Sequence, residues 1–201
     1  AQVIQAVVWD IGNVLVEWRP ERLYDALHGE ARRRALFAAV DLHGMNDRID
    51  RGAPWRETVE DWASRHPDWA EEIGLWHGRW LDMAGPVIPG SLALLRALQA
   101  RGVPCYALTN FGRETWEAAL PAYPFLATFT HPFVSGRLGV SKPEAAIYEA
   151  VERGTGLPPA ALLFADDREE NVEAARDRGW AAHLFRGPEG LRDRLAAEGL
   201  L

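Results

Sequence analysis

Five short apolar runs, each leading into a polar loop, constrain this chain most. They are Val3 to Trp9, Val103 to Leu108, Phe129 to Val134, Ala161 to Ala165 and Ala181 to Phe185. Runs of this length without strict polar alternation read as strands covered on both faces. Helical patterns separate the later ones, at Ser91 to Ala100, Pro143 to Arg153 and Glu169 to Arg178. Strands alternating with helices predict an α/β fold with a doubly wound, Rossmann-like parallel sheet.

Residues 17–86 interrupt this alternation and show no convincing strand. They carry helical patterns at Pro20 to Tyr24, Glu30 to Val40, Pro54 to Arg65 and Pro67 to Met83, several opening on a proline, which suits the first helical turn. The expected organisation is a core domain from residues 1–16 and 87–201, with a small helical cap domain, 17–86, inserted after the first strand. Trp55, Trp62, Trp69 and Trp76 recur every seven residues within it. Pro67, Gly74 and Gly78 break any continuous coiled coil, so the pattern predicts two packed helices whose tryptophans mainly form cap core.

Charge and composition exclude several partners. The chain has 201 residues and a formal net charge of -7, and its longest basic run is Arg32 to Arg34, so the field that attracts a nucleic-acid backbone is missing. No apolar stretch approaches the ~20 residues that span a bilayer, and one cysteine, Cys105, fits a reducing compartment. A cytoplasmic protein with no nucleic-acid or membrane partner is expected; the oligomeric state is not legible.

In open parallel sheets the ligand site lies beyond the carboxyl ends of the strands. Here those ends offer Asp10, then Thr109 and Asn110, then the loop to Lys142, then Asp166 and Asp167. Three carboxylates, a hydroxyl, an amide and a lysine are what phosphoryl transfer needs: a nucleophile, cation ligands and neutralisation of the phosphate. Lys142 is the sole lysine in the chain.

In these motifs the chain resembles the haloacid dehalogenase (HAD) superfamily: Asp10-Ile11-Gly12-Asn13-Val14, Leu108-Thr109-Asn110, Lys142-Pro143, and Asp166-Asp167 with Asn171 occur in the expected order. The resemblance implies a hydrolase of small phosphate esters in which Asp10 becomes an aspartyl phosphate. It implies that Asp10, the carbonyl of Gly12, Asp166 and Asp167 hold Mg²⁺, oxygen donors favouring that ion. Thr109 and the backbone amide of Asn110 would bind phosphoryl oxygens, and Lys142 would offset charge on the phosphate and on Asp10. The D-x-G-N-V form resembles a bacterial subgroup that includes an α-glucose-1-phosphate phosphatase, which suggests a sugar phosphate as substrate.

The chain departs from the family at Gly12, where most phosphatases of the superfamily carry a second aspartate that shuttles a proton. Glu17, His43 and His77 are candidate replacements, none of them assigned, and without an acid the enzyme should prefer leaving groups that need little protonation. Asn46, Arg51, Trp55 and Arg113 are candidate substrate contacts. Two rivals remain: a 2-haloacid dehalogenase, disfavoured because Asp166-Asp167 would repel a halide, and a phosphate-ligand sensor that lost turnover with the missing acid.

Overall fold

A computed structural model describes residues 3–201 and sets the first apolar run at the centre of a five-stranded parallel sheet. In chain order the elements are β1 Ala6–Trp9, β2 Val16–Trp18, α1 Pro20–His28, α2 Glu30–Ala39, α3 Leu42–Asp50, α4 Trp55–Arg65, α5 Ala70–Gly78, α6 Trp80–Met83 and β3 Ala84–Val87. There follow α7 Pro89–Ala100, β4 Cys105–Thr109, α8 Arg113–Ala122, β5 His131–Val134, α9 Ser135–Leu138 and α10 Ala145–Thr155. The chain closes with β6 Leu162–Asp166, α11 Glu169–Asp177, β7 Ala181–Leu184 and α12 Pro188–Ala197.

The sheet order is β5-β4-β1-β6-β7 with every pairing parallel, so the expected doubly wound α/β architecture is the observed one. All four residues of β1 are fully buried, which is why the strand reads as continuously apolar. Its side chains alternate between two cores. Val7 and Trp9 join Leu95, Trp116 and Leu191 on one side of the sheet, whereas Ala6 and Val8 join Ile147, Tyr148 and Val172 on the other.

Two strands that the sequence pattern did not reveal straddle the ends of the inserted segment. β2 and β3 pair antiparallel, Val16 with Val87 and Trp18 with Ala84, forming a small ribbon at the two ends of the helical region. A third difference is α3, which begins where the Asp41 carboxylate accepts from Gly44 N at 2.9 Å and buries Leu42, Met45 and Ile49. The tryptophans behave as expected: α4 packs on α5, Trp55 Nε1 donates to the carbonyl of Trp76 at 3.1 Å, and Trp76 is buried. Among the described residues, no helix is long and apolar enough to cross a membrane.

Candidate functional site

Asp10 leaves β1, Thr109 ends β4 and Asp166 ends β6, so three adjacent strands deliver their polar residues to one edge of the sheet. A cavity of about 540 Å³ opens there, lined by Asp10, Gly12, Thr109, Asn110, Lys142 and Asp167 among others. Asp166 stands just behind the wall, wholly buried. Asp10, Gly12, Thr109, Asn110, Lys142, Asp166 and Asp167 therefore meet within one small region.

Lys142 organises it. Its ammonium donates to Asp10 Oδ1 at 2.8 Å, to Asp166 Oδ2 at 2.8 Å and to the carbonyl of Leu108 at 2.9 Å, which occupies all three of its N–H donors. The Asn110 side chain fixes the loop that carries it: Lys142 N donates to Asn110 Oδ1 at 2.8 Å and Asn110 Nδ2 donates to the Lys142 carbonyl at 3.1 Å. Asp166 is held further by Asn171 Nδ2 at 3.1 Å and Arg168 N at 2.8 Å.

The carboxylates outnumber their cation. Oxygens of Asp10, Asp166 and Asp167 lie within 4.8 Å of one another, with one ammonium among them. Burial first, and then Asp166, hold the Asp10 carboxyl well above the usual carboxylate range, against the pull of Lys142. Burial raises Asp167 as well, although a hydrogen bond with Asp10 acts the other way. Burial alone would lower Lys142, but the charges of Asp10 and Asp166 reverse that and keep it firmly protonated.

The loop after Asp10 is a tight turn. Ile11 N donates to Asp10 Oδ1 at 2.8 Å, orienting the carboxylate, and Val16 bonds to Ile11 and Asn13 on either side of Gly12. Asn13 adopts φ 61°, a left-handed conformation that asparagine tolerates, while its Oδ1 accepts from Trp18 N at 2.9 Å.

The rest of the wall mixes polar side chains with apolar ones, among them the aromatic Trp18, Trp80, Phe111 and Tyr123. Of the candidate substrate contacts only Asn46 lines the cavity; Arg51 instead pairs with Asp47 and Glu144, and Trp55 packs on His77 at 4.5 Å between centroids. Glu17 and His43 line the cavity and His77 does not.

Asp50 is among the cavity residues that the sequence pattern does not single out. Its carboxyl, at the end of α3, is pushed up to about 7, by burial first and by Asp47 second, with Lys142 lowering it. The available signal was the Asp41 cap followed by Leu42, Met45 and Ile49 at helical spacing, which marks a helix ending at this carboxylate.

The model of the haloacid dehalogenase-like hydrolases matches residues 4–179. The chain belongs to that family. Among curated relatives, this HAD hydrolase is 31% identical over 209 aligned positions to enolase-phosphatase E1 of Erwinia tasmaniensis, covering 92% of the chain and 90% of the relative. Some other relatives are matched over only part of their length, down to 17% of a drimenol cyclase from Aspergillus calidoustus. Among solved structures, a HAD family enzyme of Bacteroides thetaiotaomicron in complex with magnesium and inorganic phosphate superposes with a TM-score of 0.70. The two are 19% identical over 92% of this chain and 95% of that one. L-2-haloacid dehalogenase of Xanthobacter autotrophicus with chloropropionic acid covalently bound superposes at 0.63, with 20% identity over 99% and 85% of the two chains. These structural likenesses concern the fold.

Proposed function

We propose that this HAD hydrolase is a Mg²⁺-dependent phosphomonoesterase acting on small phosphorylated metabolites through an aspartyl phosphate on Asp10. The observation that carries the reading is the Lys142 ammonium, 2.8 Å from both Asp10 and Asp166, within a cluster of three carboxylates at the cavity floor. Three carboxylates answered by one ammonium leave negative charge that a divalent cation would balance, and hard oxygen donors suit magnesium. Asp10, the Gly12 carbonyl, Asp166 and Asp167 are the residues that would hold it. When bound, Mg²⁺ supplies charge stabilisation to the phosphoryl oxygens.

In this reading the Asp10 carboxylate, oriented by the Ile11 N–H, attacks phosphorus. Lys142 favours the ionised form of that carboxylate, against burial and Asp166, and reduces its repulsion from the phosphate. The Thr109 hydroxyl and the backbone N–H of Asn110 donate to phosphoryl oxygens, while the Asn110 side chain keeps the Lys142 loop in register. Residues 17–86 act as a cap domain over the core formed by 1–16 and 87–201. The name of the enolase-phosphatase relative supports phosphatase chemistry, and the D-x-G-N-V form together with the cavity's size supports a sugar-phosphate-sized substrate.

The test is phosphate release from p-nitrophenyl phosphate with and without Mg²⁺, followed by a panel of sugar phosphates. Activity should require Mg²⁺, and Asp10→Asn should remove it by at least about a thousandfold, as expected for loss of a covalent nucleophile. Release of halide from 2-haloacids without metal would instead establish the dehalogenase reading. Tight phosphate binding without turnover would establish the sensor.

A further inference from the structure

Resting on the phosphatase reading, a second question concerns the proton that an ester oxygen takes up as it departs. Gly12 has no side chain to provide it. Among the cavity carboxylates of the helical insertion, Glu17 lies 3.7 Å from Arg22 and Asp47 pairs with Arg51 at 3.1 Å, whereas Glu21 and Asp50 pair with no cation among the described residues. Of these two, Asp50 has its carboxylate fixed, taking a hydrogen bond from Asn46 Nδ2 at 3.3 Å.

We propose that Asp50 is the general acid and base of this site, working from α3 in place of the side chain that Gly12 lacks. Two sets of contacts position it. Trp76 Nε1 donates to Asn46 Oδ1 at 3.1 Å, which fixes the amide so that its nitrogen faces Asp50 Oδ2. The backbone is tied to the core beneath: the Ser135 hydroxyl donates to the Asp50 carbonyl at 2.5 Å, and Arg51 pairs with Glu144 at 2.7 Å. Gly52, at φ +106°, lies so close to Gly136 that a Cβ would stand 2.8 Å from the Gly136 carbonyl oxygen. Asp50 thus sits on the insertion but is held by the core, on the wall of the cavity that Asp10 and Lys142 also line.

The charged groups around Asp50 agree with the role. Asp47 and His43 come from its own helix, Lys142 from the core, and Arg51 is directed to Asp47 and Glu144. Burial and Asp47 outweigh Lys142 and push the carboxyl up to about 7, so it holds a proton at neutral pH and can still release it. In the first half-reaction an Asp10 oxygen bonds to phosphorus, the bond from phosphorus to the ester oxygen breaks, and that oxygen takes the Asp50 proton. In the second, water attacks phosphorus and gives its proton to the Asp50 carboxylate. The bond between Asp10 and phosphorus breaks, inorganic phosphate leaves, and both side chains return to their starting state. An enzyme with this acid is not confined to easily departing groups, contrary to the expectation drawn from Gly12 alone.

The experiment compares kcat/KM for ethyl phosphate, a poor leaving group, and p-nitrophenyl phosphate, a good one, with Mg²⁺ present. Asp50→Asn should lose about 100-fold or more on the ethyl ester and less than about 5-fold on the nitrophenyl ester, and Asp50→Glu should recover part of the ethyl activity. Retained nitrophenyl activity also reports that the variant is folded. Equal loss on both esters, or none on ethyl phosphate, overturns the assignment of Asp50 while leaving the phosphatase intact. A wild-type enzyme that releases phosphate from neither ester overturns the phosphatase reading and Asp50's part in it together.

Discussion

Asp50 is a half-buried carboxyl group on the cavity wall, with no paired cation among the described residues to support its charge. Its pKa of about 7 means that the folded protein keeps this proton to higher pH than the unfolded chain does. The native state therefore binds more protons between the usual carboxylate range and neutrality, and stability falls as pH rises through that window. Asp50→Asn removes the charge but keeps the shape. It should leave the melting temperature nearly unchanged at pH 5, where wild-type Asp50 is already neutral, and raise it at pH 8. Paired thermal melts at the two pH values check this; a variant that loses stability more at pH 8 than at pH 5 would contradict the buried-acid description. The same residue shows the limit of local pattern. Asp10, Thr109, Lys142 and Asp166 were legible because a parallel sheet forces its strand ends to one edge, wherever the helices lie. Which cap side chain faces them depends on how the cap is seated, and nothing within residues 42–50 encodes that.

At the scale of elements, α3 reaches the core through glycines. A Cβ at Gly112 would meet Ile49 of α3, and one at Gly136 would press on the backbone of Phe111, Gly112 and Arg113. Gly136→Ala should therefore cost about 1–3 kcal/mol by overpacking, and should lower kcat/KM because the strain falls on the segment that seats Asp50. Chemical denaturation and steady-state kinetics on the same preparation check both. Gly74→Ala, where an added Cβ meets nothing, is the matched control and should be neutral or slightly stabilising. The five sheet strands were readable to within a few residues because the central β1 and β6 are buried throughout and the partly exposed edge strands β5 and β7 are still mostly apolar. β2 and β3 were not, since Val16–Trp18 and Ala84–Val87 are three and four residues long and acquire strand character only from each other. α3 was hidden by Gly44, Asn46 and Asp47, weak helix formers that the Asp41 cap and the buried Met45 and Ile49 override.

For the whole molecule, the excess negative charge at the cavity floor links folding to the proposed cation. A ligand that binds only the native state adds stability in proportion to the logarithm of its concentration, about 2.7 kcal/mol at a hundredfold excess over its Kd. MgCl₂ should accordingly raise the melting temperature by roughly 5–10 °C over a sample in EDTA, given the usual 2–4 °C per kcal/mol for a protein of this size. Melts that coincide in Mg²⁺ and EDTA would leave the carboxylates without the partner assigned to them. The aromatic wall has a practical consequence of its own. Trp18 and Trp80 border the cavity, and Trp18 stacks edge-on against Trp76 with 5.8 Å between centroids. Whatever occupies that space displaces water from indole rings, so the protein carries an intrinsic optical reporter, and occupancy can be followed in its own emission spectrum without label or turnover.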